Sequence, residues 1–147
     1  MKTLTIFTPA YNRARTLPRT YESLLRQTCK DFEWLVIDDG STDGTRELVE
    51  DWIKEKKIPI RYIHQKNQGM HGAHNTAYRN ISTELNTCID SDDYMPDDAV
   101  EKIVRFWERY GSDKCRHCGA GSDHRRAHYR DIVHGYVKGD HLTRILC

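Results

Sequence analysis

Short, β-prone apolar runs that each stop at a polar turn and alternate with helical stripes constrain this chain more than any other feature. Leu4-Thr-Ile-Phe-Thr8 stops at Pro9-Ala10-Tyr11-Asn12-Arg13, Trp34-Leu-Val-Ile37 at Asp38-Asp39-Gly40, and Leu85 to Ile89 at Asp90-Ser91-Asp92-Asp93. Leu17, Tyr21, Leu24 and Leu25, at spacings of four, seven and eight, make one stripe of a first helix that Thr16 can cap and Pro18 can open. A second helix starts at Asp43 or Thr45, lines one face with Leu48, Val49, Trp52 and Ile53, and ends before Lys56. Ile60 to Ile63 alternates as a strand, and Ala73, Ala77 and Ile81 mark the small-residue face of a third helix after the loop Gln65 to Asn75. Pro96 and Asp97 start a fourth, with Val100, Ile103, Val104 and Trp107 on its buried side. This order of strand and helix predicts an α/β, Rossmann-like fold: a parallel sheet with helices on both faces and right-handed crossovers.

In such a sheet, ligands bind outside the carboxyl ends of the strands, and that is where Asp90 and Asp92 emerge. Clustered carboxylates repel one another, so a cation is their natural partner, and all-oxygen ligands suit Mg²⁺ or Mn²⁺ better than zinc. One Asp-x-Asp is a weak signal, because acidic turns are common in solvated loops. It gains weight from the second acidic turn, Asp38-Asp39-Gly40-Ser41-Thr42-Asp43-Gly44-Thr45, which follows its strand in the same way.

A length of 147 residues is one domain's worth of chain, enough to bury a core. Lys plus Arg number 23 against 22 Asp plus Glu, and a net charge of +1 gives no global case for nucleic-acid binding. No apolar run approaches a membrane span and the first residues lack a signal-peptide body, so a cytoplasmic location is expected. The five Cys, at 29, 88, 115, 118 and 147, do not form the even set of a secreted disulfide framework, and Cys29 and Cys88 sit in apolar contexts as small core residues.

Taken in order, Thr8-Pro9-Ala10-Tyr11-Asn12, Gln27-Thr28, Val36-Ile37-Asp38-Asp39-Gly40-Ser41-Thr42-Asp43-Gly44-Thr45 and Asp90-Ser91-Asp92-Asp93 resemble the nucleotide-sugar-binding portion of the family-2 inverting glycosyltransferases, from about Leu4 to Tyr110. The resemblance implies the type-A glycosyltransferase fold and a nucleotide-sugar donor, with a uridine diphosphate sugar favoured. It implies a Mn²⁺ or Mg²⁺ cofactor held by Asp92, with Asp90 on the ribose hydroxyls or on metal-bound water. Asp93 either helps to orient these acids or is simply a helix-entry residue ahead of Pro96. By the same resemblance Asp39 accepts the ring N–H of uracil and Tyr11 stacks on the base, while Pro9, Ala10 and Ser91 complete the nucleotide-binding set. Neighbouring acids cannot both face one nucleotide edge, so Asp38 caps or braces its loop, and Gly40 to Gly44 reads as turn and helix cap rather than phosphate cradle. Gly69 and Asn75 border the nucleotide and sugar by resemblance, and Gly69 and Gly72 permit close backbone approach. His71 and His74, three apart, read as exposed or hydrogen-bonding side chains rather than a metal pair. The implied acceptor is a glycan or lipid-linked molecule, which leaves room for peripheral contact with the inner membrane face.

After Tyr110 the composition changes: residues 115–147 hold three of the five Cys, five of the eight His and no Trp or Phe. Residues 1–112 are therefore expected to form an incomplete glycosyltransferase domain, and residues 113–147 an irregular Cys/His/Arg-rich tail, truncated or aberrant relative to the family. The codons of Cys115 to Asp123, read one nucleotide later, can encode Ala-Gly-Ile-Ala-Gly-Leu-Asp-Leu, so a shifted reading frame would account for the change. No residue is recognisable as the general base, which leaves the catalytic residues unknown. Two rival readings stand beside the enzyme: an inactive nucleotide-sugar-binding domain, and a zinc-stabilised nucleic-acid-binding tail built on Cys115, Cys118, His124 and His128. The spacing from Cys118 to His124 is shorter than the roughly twelve residues of a ββα finger.

Overall fold

The structure, a computed structural model, describes residues 2–110. Four strands, β1 (Leu4–Ala10), β2 (Phe32–Asp38), β3 (Ile60–His64) and β4 (Leu85–Cys88), alternate with four helices, α1 (Leu17–Leu25), α2 (Thr45–Glu55), α3 (Gly69–Asn80) and α4 (Ala99–Tyr110). All strand pairs are parallel and the sheet order is β3-β2-β1-β4. The chain steps outward from β1 to β3 and then returns to the other side of β1, so the strand order reverses between β1 and β4. That reversal opens the crevice in which open α/β sheets hold ligands.

Strand alternation divides the core between two faces. Leu4, Ile6 and Ala10 of β1 and Phe32, Trp34 and Val36 of β2 pack with Leu17, Tyr21 and Leu24 of α1, Val49 and Trp52 of α2, and Val100 and Val104 of α4. The intervening residues Phe7, Leu35 and Ile37, with Cys88 of β4, meet Ala73 and Ala77 of α3 on the other face. A return crossover of unchanged hand places its helix on the opposite face, which is why α3 lies apart from α1 and α2. Trp34 is the centre of the larger face: its ring stacks with Tyr21 at 6.0 Å and with Trp52 at 5.9 Å, and its Nε1 donates to Thr8 Oγ1 at 2.9 Å.

The helix boundaries differ from expectation in places. Thr16 precedes α1 but does not cap it, because its backbone is already helical (φ −102°, ψ −33°) rather than extended, and its buried hydroxyl meets no partner among the described residues. Helix α3 begins at Gly69, so Gly69 to Asn75 belong to the helix and not to a preceding loop, while Ile81 is extended beyond it. Ile53 of α2 is 36% exposed and lies at the rim of its stripe. Among the described residues no helix is long and apolar enough to cross a membrane. The expected tail, 113–147, with its zinc and shifted-frame readings, lies outside the described residues.

Candidate functional site

Register places the candidate residues together. Ala10, Asp38 and His64 are level at the carboxyl ends of β1, β2 and β3, whereas β4 stops at Cys88, level with Phe7. The chain from Ile89 onward therefore leaves the sheet while β1 still runs on. Its last tie to the sheet is the Ile89 N–H, donated to the Phe7 carbonyl at 3.0 Å.

The two adjacent acids after β2 have different surroundings. Asp38 is 0% exposed and both its oxygens are taken: Oδ1 by the Ser41 N–H at 2.9 Å, Oδ2 by the Tyr62 hydroxyl and by His64 Nδ1 at 3.1 Å. Burial pushes its carboxyl up, but donation from Ser41, Tyr62 and His64 outweighs burial and holds it below the usual carboxylate range. Asp38 is thus a brace. Asp39, 4% exposed, accepts from Gln65 Nε2 at 2.7 Å and from the Gln68 N–H at 2.9 Å, both on Oδ1. Its Oδ2 has no hydrogen-bond partner among the described residues. Gln65 is in turn oriented by the Thr76 hydroxyl, which donates to its Oε1 at 2.5 Å, so α3 fixes the rotamer of Asp39 through Gln65.

The turn after Asp39 spends its amides on protein partners. Asn12, at φ +54°, accepts the N–H groups of Thr42 at 2.8 Å and Asp43 at 3.3 Å on its Oδ1, while Asp43 accepts from Ala14 N at 3.1 Å and Thr45 N at 3.0 Å. These bonds leave it a brace and helix start, not a phosphate cradle. Gly40 needs to be glycine: its φ is +82°, and a Cβ there would stand 3.0 Å from the Asn67 amide nitrogen. Gly40→Ala is expected to lower stability by about 1–2 kcal/mol, read as a fall in the urea midpoint at unchanged slope.

Tyr11 is 48% exposed just past β1, beside half-buried Pro9 and buried Ala10, whose carbonyl accepts the Asp39 N–H at 2.8 Å. Across the crevice the Asp93 N–H donates to the Asp90 carbonyl at 3.0 Å and closes a turn over Ser91 and Asp92. Asp90 and Asp92 are exposed, while Ser91 between them is 5% exposed and accepts from Arg13 Nε at 3.0 Å. Asp93 is half-buried, and its carbonyl takes the Thr20 hydroxyl at 2.7 Å. Among the described residues no three His, Cys, Asp or Glu gather as a metal cluster. A Mg²⁺-type ion needs only one or two carboxylates when phosphates and waters supply the rest, and the exposed pair Asp90 and Asp92 fits that donor set.

Helix α3 brings less to the crevice. Gly69 starts it at φ +75°, with open space where a Cβ would be. Asn75 is exposed and two residues from both Ala73 and Ala77, so at 100° per residue it leaves the helix on the side away from the sheet. His74 packs edge-on against Phe7 at 5.5 Å with its Nδ1 2.9 Å from the Met70 carbonyl, and His71 is exposed. Burial, helped by the charge of Asp90, pushes the Cys88 thiol up to about 12, which removes it as a nucleophile. Gln65, Tyr62, His64 and Arg13 are the site residues that sequence reasoning did not assign. Their signal was position alone: His64, Gln65 and Arg13 stand at or just past a strand end, and Tyr62 points the same way two residues before the end of β3.

The glycosyl transferase family 2 model matches residues 5–144. An uncharacterized glycosyltransferase of Rickettsia felis is 34% identical over 144 residues, 97% of this chain and 23% of the relative. The chondroitin synthase of Escherichia coli is 42% identical over 99 residues, 67% of this chain and 14% of that protein. Among solved structures, S. aureus TarS 1–349 in complex with UDP-GlcNAc aligns at a TM-score of 0.70 and 28% identity, over 77% of this chain and 33% of that one. The chain thus spans about a third or less of the length of these relatives. With a parallel sheet whose strand order reverses beside two acidic turns, and a family match over most of its length, the chain belongs to glycosyl transferase family 2 and has the type-A glycosyltransferase fold.

Proposed function

We propose that this chain is the donor-binding part of an inverting glycosyltransferase that takes a uridine diphosphate sugar. The observation that carries the reading is the contrast between the neighbouring acids: Asp38 has both oxygens occupied, while buried Asp39 keeps one oxygen for a ligand donor. That oxygen is not among the buried unsatisfied atoms of the described residues, so it is open to a ligand, and a base N–H is a fitting donor for it. Tyr11 offers an exposed ring at the neighbouring strand end for the base to stack on. Support also comes from TarS, a family relative by fold and sequence, whose structures include complexes with UDP and UDP-GlcNAc.

The donor's diphosphate would then extend toward Asp90 and Asp92, whose carboxylates would hold Mn²⁺ or Mg²⁺. Held there, such an ion would supply Lewis-acid stabilisation for the charge that grows on the diphosphate leaving group. Asp38, Gln65 and Asn12 keep the two nucleotide-facing loops in shape while this happens. Inversion would call for a general base on the acceptor hydroxyl, a role given to none of the described residues. A glycan or lipid-linked acceptor and a cytoplasmic location go with this reading as proposals.

Calorimetric titration with UDP in Mn²⁺ and in chelator, with GDP as the control nucleotide, tests it. UDP is expected to bind more tightly than GDP, and more tightly with the metal. Asp92→Asn is expected to shrink the metal-dependent gain about fivefold, because asparagine keeps an oxygen ligand without the charge, worth roughly 1 kcal/mol at an exposed site. Equal affinity for both nucleotides would sink the uridine assignment, and equal affinity with and without chelator would remove the metal.

A further inference from the structure

We propose that Arg13 is a positioning residue for the acidic turn, setting through Ser91 where Asp90 and Asp92 stand relative to the loops after β1 and β2. The proposal deepens the reading of Asp90 and Asp92 given above and rests on it.

The turn has firm ends, and in its middle the Arg13 side chain acts as a strut on Ser91. At its start Ile89 is bonded to Phe7 of β1, and at its end the Asp93 carbonyl is held by Thr20 and the Met95 N–H by Ser23 Oγ at 3.1 Å, both on α1. Between these anchors, the buried Ser91 hydroxyl takes the Arg13 Nε at 3.0 Å. The closing bond from the Asp93 N–H to the Asp90 carbonyl makes the turn tilt as a unit. Fixing Ser91 therefore fixes the acids on either side of it.

The origin of the strut is equally fixed. The Arg13 N–H donates to Thr45 Oγ1 at 2.9 Å, and the Arg13 carbonyl accepts from Thr16 at 3.1 Å and Leu17 at 2.9 Å. Thr45 Oγ1 in turn donates to Asp43 Oδ1 at 2.5 Å, and Asp43 Oδ2 accepts the Ala14 N–H at 3.1 Å. Arg13 is thus the junction at which the loops after β1, β2 and β4 meet. Its bond goes to a neutral hydroxyl, and among the described residues its guanidinium forms no ion pair with a carboxylate. Placement, not neutralisation of the acids, is what this geometry provides.

Arg13→Ala, Arg13→Lys, Ser91→Ala and the double variant Arg13→Ala with Ser91→Ala test the inference on the full chain by two readouts. The first needs no ligand: residue-resolved amide exchange followed by NMR. Arg13→Ala and Ser91→Ala are expected to speed exchange of the Asp93 amide about two- to twelvefold, the range set by one net hydrogen bond, while the Met95 amide stays as it was. The second is UDP affinity in Mn²⁺ against chelator. A loss of similar size is expected in Mn²⁺ only, Lys is not expected to restore it because it has no donor at the Nε position, and the double variant is expected to be no worse than the worse single one. Unchanged Asp93 exchange, rescue by Lys, or additive losses in the double variant would overturn the proposal. If the unaltered chain binds UDP without metal dependence, the reading of the acids fails, and Asp93 exchange still decides whether Arg13 places the turn.

Discussion

Asp38→Ala is expected to lower folding stability by about 3 kcal/mol, the sum of the partly buried donors it would leave unsatisfied. The Ser41 N–H, the Tyr62 hydroxyl and His64 Nδ1 all converge on this fully buried carboxylate. His64 is 41% exposed on its side chain and can turn to water, so the Ser41 and Tyr62 donors carry most of the loss. Asp38→Asn keeps an acceptor oxygen and is expected to lose less. Urea denaturation of both variants gives the comparison, and a loss under about 1 kcal/mol for Asp38→Ala would mean that water replaces the brace. The same network predicts acid sensitivity. Because the folded-state carboxyl sits below its unfolded value, the unfolded chain binds the proton more readily, and stability rises with pH through that interval. The contribution of Asp38 is complete above the ordinary Asp range near 3.9 and is lost as pH falls from there through the folded value. In Asp38→Asn that part of the acid dependence should be gone.

Asp39→Ala is expected to weaken UDP binding by roughly 1–3 kcal/mol, about five- to 150-fold, because a ligand N–H buried without its acceptor loses the full desolvation energy. The carboxylate is already aimed: Gln65 Nε2 and the Gln68 N–H hold Oδ1, and Thr76 holds Gln65, so little ordering remains to be done on binding. Gln65→Ala should therefore reproduce a smaller part of the loss by freeing the rotamer. The comparison with Asp38 separates binding from folding. At a temperature where both variants are folded, Asp39→Ala should lose more affinity and Asp38→Ala more stability. A reversal, with Asp38→Ala the costlier change for nucleotide affinity, would reassign the uracil contact.

Element type and order were legible because they are written in local periods. Runs such as Trp34 to Ile37, closed by acid, read as buried strands, and stripes such as Leu17, Tyr21 and Leu24 read as helix faces. Boundaries were less legible where a single backbone angle decides them. Thr16 has a capping side chain but a helical ψ, and Gly69 starts α3 earlier than its apolar residues announce. The ordered motifs also pointed to the family that the match over residues 5–144 shows.

The sequence already set Asp38 apart as a brace, but which partners each acid meets depended on the fold. Asp38 and Asp39 are adjacent and chemically alike, yet one meets Tyr62 and His64 on the neighbouring strand while the other meets Gln65 and Gln68 in the loop beyond it. The bond between Arg13 and Ser91 joins residues 78 positions apart, with no periodic signal to link them. The sequence by itself determined the strands, the helices and the polar turns at the strand ends, because propensity and hydrophobic period act over a few residues. The tertiary structure alone decided the reversal of strand order at β1, the partners that make Asp38 the expected brace and leave one oxygen of Asp39 open, and the strut from Arg13, because each arises from long-range packing that brings distant segments within hydrogen-bond reach.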